Sequence, residues 1–418
     1  AVAGMILAPF LLRWTVPGLP ASTRALAAQL AIIGWPTLIA AGVCSLLIGL
    51  YQARGVFAWP AVVPLLGIVL QLVLMLLLVP RFGILGLAVS ATAGVIVQAV
   101  CLLGVLRRSG YSFSLHVRHP GVREMWRLIG PMIFVNVMIR WTPLVERFLA
   151  SSFTEGSIAH LNYALKLLLL ISMVVSTGLP TTLFPRISAN MADTNLPGMR
   201  RDISFGLRWV WLLAAPAFTL GMVLAFPMVA VVFERGRFTA ADTHTVAHLF
   251  QIYLPALAAM ALGGITGKVL YALRAIWIIT IAGIVEATGY VIYTWWFTRI
   301  WGVAGIALGY ACYFSLSLSW HLPVIWHKAG RMGGKNTIYS FLRVGVAAFG
   351  AGVVAHLLKF LMVDPRLQLL VGGAGGMLAY AAILFLLRSD EFNTIRLGIR
   401  KKVSVAAAST RSFFTEAP

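Results

Sequence analysis

Charge is what this sequence has least of. Only 11% of its 418 residues are Asp, Glu, Lys or Arg, and just 12 are acidic. Soluble domains carry about 25% charged residues. With 60% of the chain apolar, too few charged side chains exist to cover a water-facing surface. A soluble enzyme, a secreted scaffold and a disordered tail are excluded together. Cysteine is scarce as well. Cys44, Cys101 and Cys312 lie inside apolar runs, at spacings that make neither a disulfide framework nor a metal site. No basic segment precedes the first apolar stretch, so no signal peptide is read. The chain opens on Ala1 rather than Met, and a preceding segment is expected.

Motifs for cofactors are missing too. The run Gly330 to Asn336 imitates a phosphate loop, but it is one residue short and puts Asn where Ser or Thr would hold magnesium; it reads as a basic loop. Gly372, Gly373, Gly375 and Gly376 lie in an apolar run and read as close helix packing, not as a dinucleotide fingerprint. His244 and His248 stand four apart without a third ligand, and Thr239 with Asp242 reads as a helix-capping box. The expectation is no cofactor, no metal and no catalysis, since the few acids within apolar runs are isolated and not paired. A nucleic-acid partner is not expected either. The excess of 33 basic over 12 acidic residues falls between apolar runs, where membrane topology explains it.

What the sequence does have is long apolar runs. A membrane-crossing helix needs about 20 such residues. Runs lie at 28–50, 60–79, 83–106, 127–150, 157–183, 203–225, 244–271, 275–297, 302–326, 338–361 and 366–388, with a partial one at 1–13. None alternates with the period of two that a β-barrel requires. The fold class is therefore an all-α polytopic membrane protein. One set of alternate loops, with the C-terminal tail, holds 19 Lys and Arg, and the opposite set holds 7. Basic loops stay inside, which places the tail in the cytoplasm.

The chain also repeats itself at an offset of about 219 residues. Gly4 to Pro9 resembles Gly221 to Pro227, Pro36 matches Pro255, Tyr51 to Arg54 matches Tyr271 to Arg274, and Gly83 to Ala88 matches Gly302 to Ala307. Six spans separate equivalent positions, so the copies are parallel repeats about an axis along the membrane normal. The expected organisation is an incomplete N-terminal lobe at 1–110 with about four of six helices and a six-helix C-terminal lobe at 127–330. Two extra helices at 338–390 and a basic tail at 391–418 follow. The segment 127–217 has no upstream counterpart, so two further spans are expected before residue 1.

Polar residues inside spans are costly in lipid and usually face a cavity or a partner. Asn136, Arg140, Pro143 and Arg147 share one helical face, as do Asn162, Tyr163 and Lys166. Two cationic stripes on consecutive spans predict a cavity for an anion. Snorkelling to the interface is the alternative reading for Glu146 and Arg147, near the outer end of their span, and for Arg208, near the inner end of its own. Glu286 sits near the middle of its span, with Tyr290 and Tyr293 on the same side. It is a candidate for coupling to a proton or cation, or for pairing with Lys268.

Two six-helix lobes and two extra helices resemble the MurJ/MviN lipid II flippases, in the multidrug/oligosaccharidyl-lipid/polysaccharide exporter superfamily. The residues that carry the resemblance are Gly130-Pro131, Gly156-Ser157 followed by Tyr163 to Leu167, Leu183 to Ser188, and Val232 to Thr239. Tyr271 and the Gly302/Gly305 pair also fit. The resemblance implies a transporter that turns an undecaprenyl-pyrophosphate-linked peptidoglycan precursor across the bacterial inner membrane by alternating access. A basic cavity would hold the pyrophosphate, and the last two helices would form a groove for the lipid tail. Where the family usually has Asp-Arg, this chain has Leu165-Lys166, keeping the charge without the bidentate geometry of arginine. A flippase for a lipid-linked surface-polysaccharide unit and a cation-coupled drug exporter are the alternatives.

Overall fold

The computed structural model describes residues 2–18, 20–53, 56, 58–108, 141–176, 183, 186–187, 189–191, 193, 195–273, 275–330 and 334–388. The chain runs through α1 (Val2–Thr15), α2 (Ala21–Ala53), α3 (Ala58–Arg108), α4 (Trp141–Ala150), α5 (Ser157–Ser176) and α6 (Leu196–Phe233). It continues through α7 (Ala240–Ala272), α8 (Ile276–Trp301), α9 (Val303–Ala329), α10 (Gly334–Phe360) and α11 (Pro365–Leu386). No strand occurs among the described residues. Nine of these helices are long and apolar enough to cross a membrane. This is a polytopic all-α membrane protein.

Two compact units divide the chain: residues 1–134 with 147–152, and residues 135–146 with 153–418. In the first, α1 packs on α2 and α2 on α3. Ala40, Cys44, Leu47 and Tyr51 of α2 are buried with Val63, Ala99 and Leu102 of α3. The Tyr51 hydroxyl donates to the Leu102 carbonyl at 2.9 Å. At 51 residues, α3 would be roughly 75 Å long if straight, more than twice the hydrocarbon core. It breaks at Gly83, whose φ of 58° and ψ of −136° no side chain tolerates well. The expected runs 60–79 and 83–106 are its two halves. The run 127–150 lies outside the described residues except for α4.

In the second unit, α7 is the centre, packed by α5, α6, α8 and α9, while α6 carries α10 and α11 on its other side. Each start has a local cause. The Asn195 side chain accepts from the Gly198 amide to cap α6, the Asp364 side chain caps α11 ahead of Pro365, and Thr239 and Asp242 form the expected capping box on α7. Ile203, Leu207 and Val210 of α6 are buried with Ile265 and Val269 of α7 and Ile325 of α9. Ala347 and Ala351 of α10 and Tyr380 of α11 are buried with Leu212 of α6. The α11 glycines let backbones approach. A Cβ on Gly376 would stand 2.6 Å from the Leu220 side chain and 3.2 Å from the Ala351 carbonyl, the small-residue packing expected of them.

The repeat is visible residue by residue. Gly302 turns between α8 and α9 with φ 58° and ψ −134°, the conformation of Gly83. A Cβ on Gly86 would meet the Leu78 carbonyl oxygen at 2.6 Å, and one on Gly305 the Phe297 carbonyl oxygen at 2.4 Å. A Cβ on Gly4 would strike Trp35, one on Gly221 would crowd Leu254, and each partner precedes a proline inside its helix. Tyr51 and Tyr271 break the pattern: the first is 5% exposed and the second 53%.

Candidate functional site

Helix α5 presents His160, Tyr163 and Lys166 three residues apart, along one face. Lys166 is exposed, and its Nζ lies 5.9 Å from the centroid of the Tyr163 ring, within cation–π range. Tyr163 is itself held by Phe233 at 4.9 Å and Phe238 at 5.4 Å between centroids. The structure therefore brings Tyr163 and Lys166 together. Asn162 is exposed and returns its amide to the Ile158 carbonyl of its own helix at 2.9 Å. Arg147 is exposed on α4 and belongs to the first unit, whereas Lys166 belongs to the second. Asn136 and Arg140 lie outside the described residues.

The carboxylates are arranged differently from the sequence reading. Glu286 on α8 is 6% exposed. It accepts hydrogen bonds from the Trp320 indole N–H and the Ser317 hydroxyl, both on α9. Its described partners are therefore neutral donors on the facing helix, and no ion pair to Lys268 forms. Tyr290 does not serve Glu286 either: its hydroxyl donates to Glu146 at 2.9 Å. Snorkelling does not describe Glu146, which is 9% exposed. A carboxylate can stay away from water only where donors meet it, and Tyr290 supplies one. Tyr290 is in turn flanked edge-on by Tyr293 and Tyr313, at 5.9 and 5.5 Å. Sequence reasoning missed this Glu146 site, whose signal was a cluster of tyrosines on the two spans that end the second repeat.

Two cavities lie among the described residues of the second unit. One, of about 730 Å³, is lined by α5, the end of α6 and the start of α7, and includes Tyr163. The other, of about 310 Å³, lies between α6 and α10, walled by Phe218, Met222, Val223, Phe349, Val353 and Leu357.

A family model described as Lipid II flippase MurJ matches residues 1–368. The chain belongs to the MurJ lipid II flippase family. A Vibrio cholerae protein named probable lipid II flippase MurJ is 26% identical over 410 residues, a match covering 93% of this chain and 76% of that protein. A Bdellovibrio bacteriovorus protein of the same name is 26% identical over 265 residues, covering 62% of this chain and 50% of its own length. A solved structure titled lipid II flippase MurJ, inward closed conformation, superposes with a TM-score of 0.80 at 18% identity, covering 93% of this chain and 81% of that one. At that identity the likeness establishes a common fold. The motif residues of the MurJ resemblance, from Tyr163 to Leu167 and from Val232 to Thr239, meet in space where Tyr163 contacts Phe233 and Phe238.

Proposed function

We propose that this protein is a lipid II flippase, carrying an undecaprenyl-pyrophosphate-linked peptidoglycan precursor from the cytoplasmic to the periplasmic leaflet of a bacterial inner membrane by alternating access. The observation that carries this reading is the family match over residues 1–368. Lys166 supplies the charge that the pyrophosphate requires. It is exposed, and its described contact is an aromatic ring in place of a carboxylate. The apolar cavity between α6 and α10 suits a polyprenyl tail, which needs hydrophobic walls and no hydrogen bonds. On the sequence pattern alone, Asn136, Arg140, Arg147 and Asn162 are assigned to the same substrate, and Tyr163 lies beside Lys166. The C-terminal tail lies in the cytoplasm.

Energy enters through an ion gradient or the membrane potential, which acts on moving charge at about 2.3 kcal/mol per elementary charge per 100 mV. Glu286, buried in α8 with neutral donors, is the residue assigned to a coupling cation or proton. The test is complementation of a strain depleted of its own flippase by the intact gene product. Lys166→Ala is expected to reach the membrane and fail to support growth, and Lys166→Arg to support it, because arginine restores both charge and phosphate geometry. Normal growth with Lys166→Ala would remove Lys166 from the pyrophosphate site.

A further inference from the structure

The 730 Å³ cavity beside α5 has a charge surplus that the transport reading does not use. Arg235 and Arg237 line it, from the loop between α6 and α7. One acid, Asp242, lines the cavity and a second, Glu234, is next to Arg235 in the chain; both have other partners. Asp242 accepts from the Thr239 amide and hydroxyl, at 2.8 and 2.7 Å, and lies 2.8 Å from the His160 ring nitrogen. Glu234 accepts from the Thr243 hydroxyl at 2.7 Å. Neither pairs with an arginine. Arg235 donates to the backbone carbonyl of Val232, and Arg237 has no hydrogen bond or ion pair among the described residues. Two exposed guanidinium groups outnumber the one carboxylate in the lining, Asp242, and neither is paired with it, which makes a site for an anion.

The rest of the lining says which anion. Tyr163, Phe233 and Phe238 form a continuous aromatic wall, with centroids 4.9, 5.4 and 6.0 Å apart. The volume falls in the range of small-molecule sites, roughly 300–1,000 Å³, well beyond what a lone phosphate fills. Aromatic rings pack against the C–H faces of sugars, and arginine matches phosphate oxygens. Tyr163 belongs to both this wall and the Lys166 contact, so the cavity lies next to Lys166 along α5. The six steps from His160 to Lys166 span about 9 Å of helix axis.

We infer that this cavity is a second binding site, for a glycosyl phosphate head group, reached from Lys166 along the α5 face. On the topology proposed above it opens at the periplasmic end, where a head group leaves the carrier. The inference rests on the flippase reading for its place in transport, and its binding test does not.

Calorimetric titration of the intact protein in phosphatidylcholine nanodiscs tests it, with glucose 1-phosphate, farnesyl glucosyl phosphate, inorganic phosphate and glucose as probes. Both glycosyl phosphates are expected to bind more tightly than phosphate or glucose. Arg237→Gln should weaken them about tenfold, the loss of one charge-assisted contact, while Arg237→Lys retains part of the affinity. Tighter binding of the farnesyl diester assigns the site to lipid-linked head groups, and equal binding assigns it to free sugar phosphates; either supports the site. Unchanged binding in Arg237→Gln of wild-type thermal stability, equal affinity for inorganic phosphate, or no binding at all would overturn it. If those results come with Lys166 variants that behave as proposed, the cavity is refuted and the flippase reading stands.

Discussion

The two halves of α3 and the pair α8 and α9 are one hairpin built twice, 219 residues apart. Both turn on a glycine at φ 58°, Gly83 and Gly302. Both seat a second glycine, Gly86 or Gly305, against the carbonyl eight residues earlier. Their interiors differ. In the first hairpin Gly67 and Gly94 face each other so closely that a Cβ on either would stand 3.0 or 2.9 Å from the other's carbonyl oxygen. At the same offset the second hairpin has Glu286 and Tyr313, with Tyr290 and Trp320 where the first has Gln71 and Cys101. The turn tolerates no change because its backbone conformation excludes a side chain. The helix contact is freer: backbone-to-backbone packing in one copy becomes a buried carboxylate with indole and hydroxyl donors in the other. A duplicated element thus keeps its geometry at the turn and places polar chemistry in one copy only.

Substitutions at the shared positions should hurt both copies alike and most severely. Gly86→Ala and Gly305→Ala each drive a Cβ into a backbone carbonyl. Overpacking of this kind costs about 2–3 kcal/mol, despite the roughly 1 kcal/mol that alanine gains in helix propensity. Thermal unfolding in detergent should register a similar loss at each, and a loss at only one would break the equivalence of the hairpins. The next effect belongs to the second copy alone. Tyr290→Phe deprives Glu146 of a described donor, at a cost of about 1–3 kcal/mol, whereas Gln71→Ala at the matching position of the first copy should cost less than half as much in the same melt. The smallest change in stability is expected from Glu286→Gln. The amide oxygen still accepts from Trp320, so the loss should stay below about 1 kcal/mol. Transport in proteoliposomes should nevertheless lose its response to an imposed ion gradient. A Glu286→Gln protein that responds as the wild type does would end the coupling role.

Much of this architecture can be read from the residues. Hydropathy alone locates the described spans, because lipid demands long apolar runs, and the turn glycines stand out once the chain is compared with itself. The capping box at Thr239 and the packing glycines of α11 are local signals that need no tertiary knowledge. Errors arise where a side chain's fate depends on distant chain. Helix α6 begins at Leu196, seven residues before the apolar run at 203–225. Its first turns are polar yet anchored: Asp202 pairs with Arg186 at 3.1 Å and accepts from Asn190 at 2.8 Å, and Arg200 donates to the Ala329 carbonyl. Glu146 reads as a snorkelling acid until Tyr290, 144 residues on, is brought to it. The candidate site was legible as a cationic face at Tyr163 and Lys166. The cavity beside it was not, because His160, Phe233, Arg237 and Asp242 come from three separate segments.

The direct measurement is the leaflet distribution of lipid II in cells depleted of their own flippase and expressing the intact gene product. An added, membrane-impermeant enzyme that cleaves lipid II reports the share exposed on the outer face. The wild-type protein and Lys166→Arg are expected to restore cleavage, while Lys166→Ala, present in the membrane at equal amount, leaves lipid II protected. Lipid II that stays protected in cells carrying the wild-type protein, with the protein folded in the membrane, would contradict the assignment of lipid II as its substrate.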